Sequence, residues 1–565
     1  MARAQAPTWQ MALAIGSTNT YVSASAADAN GNVYLAGRFQ GTIALGANNL
    51  TSAGGTDAFV AKWNSASSSF VWAQRAGGTS DDAAAAIAVS GTSIYIAGNF
   101  IGTASFGSTI SVSTAGYKDA FVAKLTDIGS TTQFIWVQQA GGTNADYANA
   151  LAVNGNSIYV TGAFVSPIAT FGSLTLSNAA ARFQTVFVAK LTDAGPASSF
   201  TWVKQAGGMD NDDYPTALAV QGANVYIAGR FYSSYVFFGI GSAAGPNHDS
   251  GPGAGGTADF FVAKLLDNGG TASFAWAQFG GGSHEDYANA ITVAGTSVYV
   301  GGGFRVSGSF GSLTLSTPFS TNAPLHANAF VAKLAEGTGA YTWVQQAGGV
   351  QDDVVNSLLV NGASLYAAGQ YVGTPQYPAV FGNSSLVSVG SNDTMFNNYS
   401  DVFVSKLTDT GASGSFVWAQ GAGGSGTDVA AGLVASGTSL YVTGYLAPPA
   451  SFGGHSIATP VNGNVGFLAS LNDLSLTATV LGRRSESINL FPNPAHGMAT
   501  IQLPALPDAT TATLTILDAL GRTLRIQAVA ANAKNGIDLN GLAPGLYAVR
   551  VQAGGSTATR RLVVE

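Results

Sequence analysis

The chain has 565 residues, no cysteine and a formal net charge of −7, with only 9% of its residues charged. Disulfides, thiol nucleophiles and cysteine-ligated zinc are therefore excluded, no basic face is available to neutralise phosphates, and nucleic acid is not an expected partner. The length exceeds one ordinary core, no run of about 20 apolar residues suits a transmembrane helix, and 73 glycines beside 10% aromatic residues read as tight turns between strands.

In chain order, Met1 is followed at once by small and polar residues, and Ala2-Arg3-Ala4 and Ala4-Gln5-Ala6 fit a signal-cleavage pattern. The expectation is an exported protein whose N-terminal signal peptide is missing from this sequence. A repeat then begins. In its second copy it reads Asp82 to Val89, a Gly turn, Ser93-Ile-Tyr95-Ile-Ala-Gly98, Phe106-Gly107, Asp119-Ala-Phe121-Val-Ala-Lys124, and Phe134-Ile-Trp136 followed by Ala140-Gly141-Gly142. The Tyr-x-x-Gly element occurs seven times, at Tyr34, Tyr95, Tyr159, Tyr226, Tyr299, Tyr366 and Tyr441. Six units carry Phe-Val-Ala-Lys, with Ser replacing Ala in the last, and a decayed copy surrounds Phe467. Each unit holds four short runs rich in Val, Ile, Phe, Tyr and Trp bounded by turn residues, the signature of strands. Asn154-Gly155 and Asn361-Gly362 suit tight hairpins. The runs are apolar on both faces, so each sheet needs neighbours on both sides, which radial stacking supplies. A linear solenoid is the alternative, with normally shorter repeats.

The phase of the repeat predicts ring closure. Trp9 precedes the first Tyr-x-x-Gly unit, and the unit around Phe467 has no Trp of its own, so the Trp9 strand is expected to complete blade seven. Residues 474–481 compete for that place. The predicted fold is all-β: a seven-bladed β-propeller of four-stranded blades over residues 1–481, a linker at 482–487, and a small immunoglobulin-like sandwich over 488–565. The repeated combination of Trp, Gly-Gly, Asp, Tyr-x-x-Gly and Phe-Val-Ala-Lys-Leu resembles the bacterial SBBP-type propeller repeat over roughly residues 8–472. That resemblance implies a fold and frequent export, without a defined reaction. Blade one departs with Asn19 near the Asp place and Leu45-Gly46 for Phe-Gly, and blade seven with Ser470 for Lys.

After the linker, Phe491-Pro492-Asn493-Pro494, Leu517-Asp-Ala-Leu-Gly521-Arg, Leu542-Ala-Pro-Gly545-Leu-Tyr547 and the terminal Arg560-Arg-Leu-Val-Val564 resemble the type A sorting domain of the type IX secretion system of the Bacteroidota. The resemblance implies export across the outer membrane by that machinery, with Pro492, Asn493, Pro494, Gly545 and Tyr547 as the sorting motif. Display on the cell surface or release follows from it. An ordinary immunoglobulin-like module is the alternative.

Several residues are candidates for function. An Asp follows Gly-Gly in six units: Asp82, Asp146, Asp213, Asp286, Asp353 and Asp428. These could ring one face and bind a cation or polar ligand; short acidic side chains also fix turns by accepting backbone N–H bonds. The six repeated lysines are expected to be structural, with buried stems and heads paired to an acid or to carbonyls. Loops between second and third strands are long in blades four, five and six and differ between blades. Tyr232, Tyr235, Tyr371 and Tyr377, with Arg38 and Arg230, could stack on and bind a sugar there. Asp210, Asp212 and Asp213 have a spacing that could hold Ca²⁺, without the glycine and distal Glu of an EF-hand loop. The five histidines, including His248 and His284, recur at no fixed place. No other cofactor is expected. The reading is an exported, non-catalytic propeller binding a polysaccharide, surface protein or matrix component through one face. A secreted polysaccharide hydrolase or lyase, which requires paired carboxylates, and a structural module of an adhesive layer are the alternatives.

Overall fold

The computed structural model describes residues 6–16, 19–179, 182–239, 242–243, 257–317, 326–391, 399–458, 463–474, 476, 489–503, 511–518, 522–530, 533–553 and 556–565. The cleavage-like residues 2–5, His248, the linker at 482–487 and all but two positions of 474–481 lie outside them. The chain divides into two compact units, Met1–Asp473 and Leu474–Glu565.

In the first unit the four runs of each repeat pair antiparallel in sequence order. Blade three shows the pattern: Asp146–Asn154, Ser157–Phe164, Thr185–Asp193 and Ser198–Ala206. Asn154-Gly155 makes the first turn, with Gly155 at φ 59°. The third strand is buried on both faces, as its unbroken apolar run requires. The Gly of Tyr-x-x-Gly is obligatory for packing, because a Cβ on Gly162 would run into the Tyr147 carbonyl and the Phe187 ring. The seven first strands, Thr20–Ala27, Ala83–Ser90, Asp146–Asn154, Asp213–Gln221, Tyr287–Ala294, Val354–Asn361 and Val429–Ser436, neighbour one another in a closed cycle. Trp9–Ile15 pairs with Val465–Asn472, so the first strand of the chain is the outermost strand of the last blade.

The Phe-Gly element opens a feature that the strand count does not anticipate. It turns a short hairpin between the second and third strands, such as Ile168–Phe171 with Leu174–Ser177, with Gly172 at φ 59°. That hairpin pairs with the fourth strand of the preceding blade, Ala140 opposite Phe171. Phe171 packs edge-on against Phe187 and Phe200, with ring centroids 4.9 and 5.5 Å apart. The segments expected to be long loops in blades four and six are thus partly hairpins bound to a neighbour.

At the opposite end of every junction but the closing one, Tyr, Lys and Trp of one blade converge on an acid of the next. Lys124 Nζ lies 2.6 Å from Asp193 Oδ2, which also accepts Tyr95 OH at 2.6 Å, while Trp136 Nε1 donates to Oδ1 at 3.1 Å. Both charges are over 90% buried. Lys62–Asp127, Lys190–Asp267, Lys264–Glu336, Lys333–Asp409 and Lys406–Asp473 repeat the arrangement. Burial raises the Asp193 carboxyl, but Lys124, Tyr95, the Gly195 amide and Trp136 hold it below the usual range.

The second unit, taken by itself, is two antiparallel sheets. Asn489–Phe491, Met498–Gln502 and Lys534–Asp538 form one; Thr523–Ala530, Thr511–Leu517, Gly545–Ala553 and Ser556–Val564 form the other. Ile501, Leu514, Ile516, Ile537 and Leu562 fill the core between them.

Candidate functional site

The six Gly-Gly-linked aspartates are all at most 2% exposed. Asp82 accepts the amides of Gly78 at 2.6 Å and Ile101 at 3.1 Å. Asp146 accepts Gly142, Val165, Ser166 N and Ser166 Oγ. Asp213, Asp353 and Asp428 repeat the pattern through Gly208, Gly349 and Gly424, and Asp286 accepts the Arg305 amide. Each carboxylate ties the end of one blade to the second strand of the next. They face backbone amides and not an open channel mouth. The axial cavity itself, about 210 Å³, is lined by small residues such as Ala150, Ala217 and Ala290, and Asn149, Asn289 and Asn356 bridge neighbouring first strands.

The Asp210–Asp213 turn does not gather its acids on one point. Asp210 accepts the Ser234 amide, Asp212 the Gln184 amide and Tyr214 OH, and Asp213 the Gly208 amide. Tyr371 is also not a stacking platform. It is 2% exposed within the core, with its hydroxyl on the Val387 carbonyl. Tyr235 is exposed, and Tyr377 lines a cavity of about 430 Å³ beside Gln346, Pro378 and Val380.

Arg38 and Arg230 lie where strand pairing places them, each opposite a tyrosine that follows the junction position. Arg38 pairs with Tyr21 and stacks on its ring at 4.6 Å; Arg230 pairs with Tyr214 and lies 5.2 Å from that ring and 5.9 Å from Tyr232. Tyr147 and Tyr287 hold the same position in blades three and five. These tyrosines were legible as Thr20-Tyr21, Asp146-Tyr147, Asp213-Tyr214 and Asp286-Tyr287, a recurrence passed over beside the aspartates.

Around blades four to six the polar groups merge into one patch. Arg305 reaches Glu285 at 3.5 Å and His326 reaches Asp352 at 3.5 Å. Burial pushes Tyr214 up to about 12, helped by Asp212 and opposed by Arg230. Burial likewise pushes Tyr287 up to about 12, under the fields of Arg305, Asp352, Glu285 and Arg230. Against the upward pull of burial, His326 and the Ala327 amide hold Asp352 below the usual carboxylate range. The Nε atoms of Arg230 and Arg305 are buried and make no hydrogen bond. The patch thus gathers partly buried tyrosine rings, the guanidiniums of Arg230 and Arg305, and the carboxylates of Glu285 and Asp352.

In the second unit, Asn493 donates to the Arg561 carbonyl at 2.7 Å and accepts the Val563 amide at 2.8 Å. Tyr547 OH donates to the Ala543 carbonyl at 2.7 Å, and Gly545 pairs with Val564. The motif residues thus close the sandwich around the last strand.

Residues 489–565 match the family described as "Secretion system C-terminal sorting domain". The chain carries an export signal of the type IX secretion system, and the protein is delivered to the cell surface or secreted. No curated protein matches the chain. Among solved structures it is similar to the quinohemoprotein alcohol dehydrogenase of Comamonas testosteroni, at 8% identity and a TM-score of 0.38 over 82% of this chain and 76% of that one. It is also similar to quinohemoprotein alcohol dehydrogenase ADHIIG of Pseudomonas putida HK5, at 9% identity and 0.34 over 81% and 76%, and to the extracellular domains 1–2 of Drosophila semaphorin 1b, at 9% and 0.23 over 64% and 83%. These likenesses carry no functional argument, and the fold rests on the strand pairing. Among the described residues no helix is long and apolar enough to cross a membrane.

Proposed function

We propose that this exported propeller is a non-catalytic binding protein that holds a polysaccharide on the patch of blades four to six. The observation that carries the reading is the gathering of Arg230 and Arg305, both partly exposed, beside partly buried Tyr214, Tyr232 and Tyr287. Sugar rings present apolar faces to tyrosine and hydroxyls to guanidinium and carboxylate, so both kinds of surface are used. The acids of the patch favour binding over hydrolysis. Asp212 and Asp352 each accept a backbone amide, and Asp352 is held below the usual range where a general acid needs a raised one.

A thermal-shift and affinity screen of the full chain against soluble glycans tests this. A binding glycan raises the melting temperature by mass action, and Arg230→Ala with Arg305→Ala removes that rise while leaving the unliganded melting temperature in place. A glycan that binds the double variant as well as the parent defeats the assignment to this patch. No binding to any glycan leaves the protein-ligand and structural-layer readings.

A further inference from the structure

Blade six departs from the repeat where its second strand leads into the outer hairpin. Residues 372–378 join Tyr371 to Ala379, where residues 101–103, 165–168, 232–235, 305–307 and 447–449 serve in blades two to five and seven. The insertion is a braced turn. The Thr374 amide donates to the Tyr377 carbonyl at 3.0 Å, the Tyr377 amide donates to Thr374 Oγ1 at 3.0 Å, and Thr374 is 1% exposed. Pro375 and Pro378 restrict φ on either side of Gln376-Tyr377.

This longer turn stands off from the preceding blade. In five other junctions a carbonyl just ahead of the hairpin closes on the second glycine of Gly-Gly. A Cβ on Gly78 would lie 2.0 Å from the Thr103 oxygen, on Gly142 2.2 Å from Ile168, on Gly208 2.4 Å from Tyr235, on Gly282 2.1 Å from Ser307, and on Gly424 2.0 Å from Pro449. At Gly349 the matching Pro378 oxygen is 3.0 Å away. At this stand-off lies the cavity of about 430 Å³ between Gly348-Gly349-Val350 and Gln376-Tyr377-Pro378. Its volume falls within the range of about 300–1,000 Å³ of small-molecule sites. Gln376 and Val380 are exposed, so it opens to solvent.

Gln346 lines the cavity from the fourth strand of blade five. The residues at its place in blades one and two, Arg75 and Gln139, are tied to Asp57 and Asp119 of their own blades. Blade five has Asn328 in place of that acid, and the Gln346 carboxamide oxygen is buried and accepts no hydrogen bond. A buried acceptor without a donor is costly, and a ligand hydroxyl would supply one. Among the described residues no charged side chain lines the cavity, so an ionised ligand would find no counter-charge. Its walls are Val350, Pro378 and Val380, with the Tyr377 ring and the carboxamides of Gln346 and Gln376. A carboxamide both donates and accepts, as a sugar hydroxyl does, and a tyrosine ring offers an apolar face with a polar tip. We propose that this cavity is a subsite for one uncharged hexose residue. The proposal rests on the polysaccharide reading for its class of ligand and adds a contact separate from the arginines. Val350 stands two residues ahead of Asp352, the partner of His326 in the patch, so a glycan held there has this cavity beside it.

The test is saturation-transfer NMR of the full chain with methyl hexosides and with neutral and uronic-acid oligosaccharides, followed by titration of the strongest binder. The expected result is a ring-proton signal from a neutral hexoside, with affinity about tenfold lower in Tyr377→Ala and in Gln346→Leu. The melting temperature of Gln346→Leu is expected to be no lower than the parent's, because that variant removes the orphaned acceptor. Arg230→Ala with Arg305→Ala is expected to keep the hexoside signal while losing the longer glycans. Glycan binding lost in the arginine variant but unchanged in Tyr377→Ala and Gln346→Leu overturns the subsite and leaves the patch. A hexoside signal lost in the pocket variants, with long glycans unaffected by the arginine changes, sustains the subsite and overturns the patch. No signal from any neutral hexoside, or its displacement by a proline-rich peptide that binds more tightly, overturns the subsite.

Discussion

Six of the seven blade junctions carry a buried charge clasp, and the one that closes the ring carries none. Between blades seven and one, Ser470 stands where the lysine would be and Ser65 where its acid would be. Thr20 replaces the aspartate that follows Gly-Gly, and Val465 stands where Asp57, Asp119, Asp259 and Asp401 stand in four other blades. What joins these blades is apolar packing of Ile15, Val22, Leu468 and Tyr441, with neutral contacts such as Thr443 to Ser25 at 3.1 Å and Asn464 to Tyr21 at 3.1 Å. Lysine and acid are lost together, as are these two aspartates. A buried charge is tolerated only with its partner, so a junction formed by chain ends far apart in sequence is built without any. The lesson is that the charges lock a register already set by neighbouring repeats, while the closure relies on area and on the strand pairing of Trp9–Ile15.

The largest break in this contrast comes from deleting residues 1–16. The third strand of blade seven then loses its partner and Trp9 and Ile15, 5% and 0% exposed, leave the core. The melting temperature in calorimetry is expected to fall by roughly 10 °C or more, since ~1 kcal/mol shifts a domain larger than 150 residues by about 2–4 °C and losing a buried Trp alone costs about 3–5 kcal/mol. An unchanged melting temperature would show that the closure contributes nothing.

Next is Lys190→Ala, which leaves Asp267 buried without its cation. Removing one partner of such a pair costs about 3–5 kcal/mol, to be read in denaturant titrations. Ser470→Ala at the matching place in blade seven is expected to cost under about 1 kcal/mol by the same measurement, because no acid waits there.

The pH dependence sharpens the contrast further. Burial, with the charge of the facing Asp57 or Asp401, pushes Asp82 up to about 6 and Asp428 up to about 8; burial pushes Asp259 up to about 8. A carboxyl raised in the folded state stabilises fully below its unfolded value and loses that contribution as pH rises through the folded one. Stability is therefore expected to fall as pH rises from about 4 to about 8. The lysine clasps run oppositely: Asp127, Asp193, Asp267 and Asp409 are held low, so their contribution is present at neutral pH and lost in acid. Denaturant midpoints measured across pH separate the two sets. The smallest effect is that of Arg230→Ala, partly exposed on the proposed patch, whose stability change is expected within about 0.5 kcal/mol while glycan binding is expected to be lost.

Much of this protein was determined by sequence alone. The repeat, its phase around Trp9, the all-β class, the paired state of the lysines and the export signal in residues 489–565 are local or periodic features, and periodicity survives translation into structure. The site was less legible. Arg38 and Arg230 are legible from their positions at the ends of second strands and Tyr232 as a loop aromatic, whereas nothing in the repeat marks Glu285 or Arg305. Their meeting depends on three blades being adjacent, which no spacing within one repeat encodes. Tyr371 stands two residues after the Gly of Tyr-x-x-Gly, the place that Phe39, Phe100, Phe164, Phe231 and Phe304 hold in other repeats, and is buried in the core as they are. Asp119 and Asp146 likewise belong to separate strands of sequence, and only the packing of one blade on the next brings both against Gly141.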